Sequence, residues 1–398
     1  MELKAGYKQT EVGVIPVDWD AITLSEILRS MQLGGNYKNS ERVTNWPLIK
    51  MGNLARGYIK LDKLECIDIE TPPDTRDRLH NGDVLFNTRN TLDLVGKVAI
   101  WRGELSEAYF NSNIMRMEFD RKSVASAWFM NSILNTPNAI GQLRGIATGT
   151  TSVAAIYSRD LVKITVPLPP KAEQQAIAEA LSDADALIES LDQLITKKRH
   201  LKQGAMQELL TGKRRLPGFS GEWEVKRLGE VANIKTGSRN NQDKLEDGLY
   251  PFFVRSSTVE RINSFSHDCE AILIPGEGGI GSIFHYISGK FDVHQRVYAI
   301  TQFTSHTSGM FVYFYMATKF GAYAMENSVK ATVDSLRLPT FLEFELTIPP
   351  SLEEQTAIAT ILSDMDTELA ELESRLAKAR QIKQGMMQEL LTGRIRLL

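Results

Sequence analysis

The sequence predicts an α+β fold: two globular α/β domains joined by two long antiparallel coiled-coil helices, related by a pseudo-two-fold. Three observations predict it. A segment in the middle of the chain returns at its end, residues 206–216 (MQELLTGKRRL) matching residues 387–397 (MQELLTGRIRL) at an offset of 181 positions. Both copies follow an apolar stripe at alternating three- and four-residue steps, the pattern of a coiled-coil seam. The stretches ahead of the two stripes hold short apolar runs of β character broken by polar turns.

In chain order, the first domain takes residues 1–167. It carries strand-like runs in DVLFNT (83–88) and VGKVAIW (95–101), a helical stretch around 124–134, and a last strand into the double proline of VPLPP (166–170). Proline pairs cannot continue a helix but can open one, so they mark a boundary. A central helix within 168–215 follows, with Leu181, Ala184, Ile188, Leu191 and Ile195 on one stripe and Gly212 as C-cap. The second domain, 216–348, repeats the plan with AILIP (271–275), a strand in GSIFHYI (281–287), a helix around 308–324 and TIPP (347–350). The C-terminal helix within 349–398 places Leu362, Met365, Leu369, Leu372, Leu376 and Ala379 on its seam, with Gly393 as C-cap. Lys202 and Lys383 interrupt the two seams at matching positions. The domain openings echo one another more faintly: Trp19, Leu24 and Glu26 have the spacing of Trp223, Leu228 and Glu230.

Hydrophobic residues make up 42% of the chain, enough for real cores. No apolar run approaches the roughly 20 residues of a membrane-spanning helix, and no secretory signal is visible. Cys66 and Cys269 are isolated, which excludes a disulfide framework and fits a reducing cytoplasm. The formal net charge of −3 gives no global attraction to nucleic acid, so any binding would rest on local patches.

The motif search argues against catalysis. PGEGGIG (275–281) matches G-x-G-x-x-G, but the following residues alternate like a strand, and no acidic residue stands about 20 positions on. A tight loop whose backbone approaches a ligand or a partner chain is the expected reading. There is no Walker A sequence, no clustered metal-ligand set and no methyltransferase-type Asn/Asp-Pro-Pro-aromatic motif, TPPD (71–74) reading as a turn.

Polar loops remain, rich in residue types that read base edges: Arg for guanine, Asn or Gln for adenine. In the first domain they offer Asn36, Lys38, Arg89, Asn90, Thr150 and Thr151. In the second they offer Arg239, Asn240, Lys244, Arg255, Gln295 and Arg296. Taken singly, each loop reads as turn chemistry; the recurrence in both domains favours DNA.

With these pieces in place, the chain resembles the specificity subunits of type I restriction–modification systems. The duplicated PLPP…EQQAIAEALSDAD…KQGAMQELLTGKRRL and IPP…EEQTAIATILSDMD…KQGMMQELLTGRIRL carry the resemblance, with TEVGVIPVDW and RLPGFSGEWEV as entry sequences. The resemblance implies a non-catalytic subunit with two target-recognition domains that read a bipartite, asymmetric double-stranded DNA site. It implies two modification (methyltransferase) subunits that bind S-adenosylmethionine, and restriction subunits that use ATP and Mg, as partners. No cofactor or metal is expected in this chain. The helices would then act as a ruler between half-sites. The competing expectation is a coiled-coil scaffold whose globular domains bind protein.

Overall fold

A computed structural model of the protein describes residues 5–327 and 335–397. The chain divides into two compact units, residues 1–191 with 375–398, and residues 192–374. Each unit therefore contains one globular domain and a segment of both long helices, Lys171–Leu209 and Leu352–Leu390.

In the first unit, an antiparallel four-stranded sheet runs in the order Val98–Ile100, Val84–Asn87, Ile114–Phe119, Leu28–Leu33. A second four-stranded sheet joins Tyr109–Phe110, Pro47–Ile49, Glu65–Ile67 and Asn39–Ser40. The helix expected around 124–134 starts at Ala127, because the Ser126 hydroxyl accepts from Phe129 N and caps it. A further helix, Pro137–Ile146, went unforeseen; Thr136 caps it and proline stands at its first turn.

In the second unit a six-stranded sheet has the order Asn233–Thr236, Val297–Thr301, His267–Pro275, His285–Val293, Tyr250–Phe253, Glu260–Ile262. Helix Gly309–Glu326 buries Phe311, Phe314, Met316 and Phe320 on its core side. Residues 275–281 connect two antiparallel strands, and no helix follows them, so the loop cannot hold a pyrophosphate in the dinucleotide manner. The strand anticipated from residue 281 begins only at His285, with left-handed Gly278, Gly279 and Gly281 shaping the turn.

The repeat is explained by one device built twice. In the first unit, Thr165–Leu168 pairs antiparallel with Asp20–Thr23, and the helix then starts at Lys171. Glu173 is fully buried and takes both arms of Arg396, Nε to Oε1 at 2.6 Å and Nη2 to Oε2 at 2.7 Å. Trp19 Nε1 donates to the same carboxylate at 2.9 Å. Gln174, also fully buried, accepts from Ala125 N and donates to the carbonyls of Ser123 and Pro169. In the second unit, Glu345–Ile348 pairs with Glu224–Arg227, and buried Glu354 takes Arg215 through the same atoms at 2.6 and 2.7 Å. Gln355 accepts from Ser308 N and donates to His306 and Pro349 carbonyls. The two copies differ in two details: Trp223 Nε1 is buried without a hydrogen-bond partner, and Arg215 Nη1 donates to Gly221 O where Arg396 pairs with the Asp18 carboxylate at 2.7 Å.

These contacts make the helix segments antiparallel within each unit, since the start of one helix meets the residues just beyond the end of the other. Further along, Lys383 pairs with Asp185 in the first unit and Lys202 with Asp366 in the second. The lysines that interrupt the seams are thus each matched by a carboxylate at the equivalent place on the opposite helix. Arg102 adds a second cation to Asp185 at 2.9 Å. The seam itself is apolar: Leu181, Ile195, Leu362, Leu369, Leu372 and Leu376 are buried, and Ile188 and Leu191 half-buried. Gly212 and Gly393 end the helical tails at φ of +67° and +69°. A Cβ on Gly393 would lie 2.5 Å from Pro16, so glycine is required there by packing as well as by backbone.

The equivalent glutamates of the two domain openings are also explained. Glu26 accepts from Thr23 N and Glu230 from Arg227 N, each at 2.9 Å, closing a short helix whose first residue, Leu24 or Leu228, is buried. No helix among the described residues is long and apolar enough to cross a membrane.

The clamp predicts a specific energetic response. Arg396→Ala leaves the buried Glu173 carboxylate with only the Trp19 donor, and should destabilise the first unit by roughly 2–3 kcal/mol. Glu173→Gln combined with Arg396→Ala should recover part of that loss. Urea unfolding followed by tryptophan fluorescence tests it; a cost below about 0.5 kcal/mol for Arg396→Ala would show that the pair does not hold the helix tail.

Candidate nucleic-acid interface

In the second unit the six sequence-predicted residues come together. Strand His285–Val293 ends in a turn in which Val297 N donates to His294 O at 2.9 Å, so His294, Gln295 and Arg296 project between two strands rather than interrupting one. Gln295 N donates to Arg239 O at 2.9 Å and the Gln295 amide donates to Asn240 Oδ1, which ties this turn to the loop carrying both residues. Arg239 Nε donates to Asp292 at 3.1 Å, and Asp292 is fully buried with the hydroxyls of Ser264 and Ser266 also donating to it. Burial pushes the Asp292 carboxyl up, but the donors Ser264, Ser266, the Val293 N–H and Arg239 together outweigh it and hold the group below its usual range.

A polar hollow of about 500 Å³ lies over this turn, lined among others by Asn240, Arg255, Glu277, His294, Gln295 and Arg296. Lys244 lines an adjoining hollow with Arg255 and His294, and its ammonium pairs with Glu260 at 3.0 Å. His294 is buried, and its Nδ1 accepts from Arg296 N at 3.0 Å, which leaves the ring proton on Nε2. Burial, then the charges of Arg255 and Arg296, push the imidazole below its usual pKa. What the hollow offers is amide groups and arginine forks, the chemistry of base edges.

In the first unit the predicted residues divide. Arg89 and Asn90 form one strand of a three-stranded sheet with Thr148–Gly149 and Ala154–Ala155, and Thr150 and Thr151 stand in the turn of its hairpin. Leu92 N donates to Thr151 O at 3.1 Å, so these four residues share one surface. Gly149 makes the hairpin possible: at its φ of +132° a Cβ would lie 2.3 Å from Val153 O. Asn36 and Lys38 instead lie just ahead of the edge strand Asn39–Ser40 of another sheet, where Lys38 pairs with Asp68 at 3.3 Å.

Beside the Arg89 sheet lies a basic cluster that sequence reading missed. Arg56 sits at the tip of a tight hairpin closed by Ala55 N to Tyr58 O, and Gly57 docks it by donating to Val98 O at 2.7 Å. The Arg56 guanidinium reaches Gly96 O at 3.5 Å; Lys97 is the next residue, and Leu143, the neighbour of Arg144, packs over Gly96. Gly96 N donates in turn to Asn87 O, two residues before Arg89. Burial first and Arg144 second hold Arg56 below its ordinary pKa; burial, then Arg56 and Lys60, do the same to Lys97. Among the described residues, Arg56, Lys60, Lys97 and Arg144 have no carboxylate within ion-pair distance. Cations gathered without a counter-charge, two of them half-buried, are an anion site in waiting. No group of acidic, histidine and cysteine residues among the described residues could hold a metal ion.

Comparison with known proteins follows the same lines. Residues 16–197 and 220–383 match the family described as the type I restriction modification DNA specificity domain. Over 98% of its length the chain is 25% identical to the putative type I restriction enzyme MjaX specificity subunit of Methanocaldococcus jannaschii, 97% of which is covered. Over 41% of its length it is 34% identical to the type I restriction enzyme EcoDI specificity subunit of Escherichia coli, covering 35% of that protein. Among solved structures, the S subunit of the type I restriction–modification system from M. genitalium has the same fold, with a TM-score of 0.67 at 16% identity over 98% of each chain. A chain from a structure of complex assembly in the type I restriction–modification system gives a TM-score of 0.52 at 18% identity, over 96% of this chain and 99% of that one.

The histidine provides a test of the second-unit geometry. His294 should titrate below 6.5, as read from the imidazole resonances of a histidine-labelled sample. The sign follows: the folded state favours the neutral ring, so its contribution is complete above pH 6.5 and is lost as pH falls through the lower folded value. A midpoint at or above 6.5 would mean the ring is not buried against the two arginines.

Proposed function

The chain belongs to the type I restriction–modification DNA specificity family, the non-catalytic components of those systems, and from that premise we propose that it reads a bipartite, asymmetric site in double-stranded DNA. Each domain takes one half-site. Two modification subunits, carrying S-adenosylmethionine, and restriction subunits, using ATP and Mg, assemble on it.

One observation carries this reading: the anchoring device is the same in both units, while the polar surfaces it holds are unlike. Glu173, Gln174 and Arg396 repeat as Glu354, Gln355 and Arg215 down to the accepting atoms. The surfaces beyond do not repeat; one presents Arg89, Asn90 and an unpaired cationic cluster, the other a hollow of arginines and amides. Two different readers on equal mounts fit a target whose halves differ. The cluster of Arg56, Lys60, Lys97 and Arg144 would hold phosphates, which position the duplex, and the neighbouring Arg89 sheet would meet base edges.

Selection from a random duplex library, using this chain co-expressed with its modification subunit, should return a split motif with a fixed unspecified gap. Arg56→Ala/Lys97→Ala/Arg144→Ala should flatten the dependence of affinity on salt by about 2–3 in log–log slope and leave the motif unchanged. A flat library would favour the scaffold reading, in which the domains bind protein. An unchanged salt slope would remove the cluster from the interface.

A further inference from the structure

The glycine-rich loop 275–281 carries a carboxylate, which is out of place on a surface that meets a polyanion. Glu277 Oε1 accepts from Arg296 Nη1 at 3.0 Å, and Oε2 accepts from Arg255 Nη1 at 3.4 Å. The two arginines come from different connections, one after strand Tyr250–Phe253 and one in the turn before Val297–Thr301. Their side chains are half exposed, whereas Glu277 is only 23% exposed between them.

The carboxylate is also held from behind. Gly276 N donates to Arg296 O at 2.9 Å, Leu336 N donates to Gly276 O at 2.8 Å, and Glu277 forms a backbone bridge with Ser335. A Cβ at residue 276 would come within 2.9 Å of the Tyr298 ring, so glycine there lets the loop lie flat against the turn. The Arg296 main chain is fixed in turn by its N–H to His294. An ordinary surface ion pair spends side-chain freedom to form and contributes little. Here the backbones on both sides are already fixed, so the carboxylate orients two guanidinium groups at small entropic cost.

The consequence is chemical. Two arginines alone form a phosphate clamp, which binds any sequence. With a carboxylate shared between them the local charge falls from two to one, while each guanidinium keeps most of its five N–H donors. Phosphate affinity drops, and the directed donors that remain match the N7 and O6 acceptors of guanine. We propose that Glu277 is a specificity-determining residue that turns Arg255 and Arg296 from a phosphate clamp into a reader of a guanine in the half-site of the second domain. This inference rests on the DNA-reading function above and deepens it. The carboxylate works by penalising the wrong ligand as much as by placing the right one.

The test compares the chain with its Glu277→Gln and Arg296→Ala variants, each co-expressed with the modification subunit, in selection from a random duplex library and in binding at several salt concentrations. Glu277→Gln is close to isosteric and lies at the surface, so the fold should persist. It should steepen the log–log salt dependence by about 1 and weaken the preference for one guanine in one half-site about tenfold. Arg296→Ala should weaken the same position without steepening the slope. If the parent chain selects a split motif but Glu277→Gln leaves both slope and motif unaltered, the inference falls and the DNA-reading function stands. It also falls if Arg296→Ala leaves every position of the motif intact. A parent chain that selects no motif overturns both.

Discussion

Everything in this molecule depends on a buried carboxylate held by an arginine from the far end of the chain's other long helix. Glu173 and Glu354 are each wholly removed from water, a position an ionised carboxylate tolerates only with charged, well-aligned donors. Arg396 and Arg215 supply them bidentately. Because each arginine lies just past a helix end and each glutamate just past a helix start, the pairing fixes antiparallel direction and register together. The lysine–aspartate pairs farther along repeat that register with a polar marker inside an apolar seam. A seam of leucines alone would tolerate a slip of one heptad; a slip here would strand a buried charge.

The clamp separates what must be constant from what is free to differ. Gln174 and Gln355 tie each helix start to backbone atoms of its own domain, not to side chains. Domain sequence can therefore change without disturbing the anchor, provided the backbone path is kept. The larger sheets of the two units differ in strand number, order and connection, yet in each unit a separate two-stranded ladder hands its last strand to a proline pair and then to the same helix start. Such a mount suits loops whose purpose is to vary.

The parts legible in the sequence were those with a local signature. The repeat, the apolar stripe, the two glycine C-caps and the Trp–Leu–Glu openings all survive translation into structure, because each depends on contacts set by short spacing or by an offset shared between copies. The loop at 275–281 was legible too, through the strand-like alternation that follows it. Helix Pro137–Ile146 was not: Gly141 and Gly145 dilute its pattern, and its stability comes from Ala139 and Leu143 packing into the core. Within the candidate interface, Gln295 and Arg296 were visible as polar-loop residues, but their partners Asn240 and Glu277 were brought to them only by the fold. The basic cluster was invisible for the same reason. Arg56, Lys60, Lys97 and Arg144 stand in unrelated segments, and each alone is an ordinary surface cation.

That cluster also resolves the apparent conflict between a net charge of −3 and a polyanionic ligand. Net charge sums the whole chain, whereas a phosphate responds to charges within a Debye length, about 8 Å at physiological salt. Several of the carboxylates are already engaged internally, Glu173, Glu354, Asp185 and Asp366 by the helix clamp and Asp292 beneath the second-unit turn. Their negative charge is cancelled where it stands and projects little field. Arg56, Lys60, Lys97 and Arg144 have no carboxylate in ion-pair contact among the described residues, so their positive charge is left uncompensated by direct pairing. The same arithmetic applied to the hollow of the second unit leaves a smaller positive remainder, because Glu277 has been placed among its arginines. The two surfaces thus carry different local charge, and the overall charge of the chain records neither.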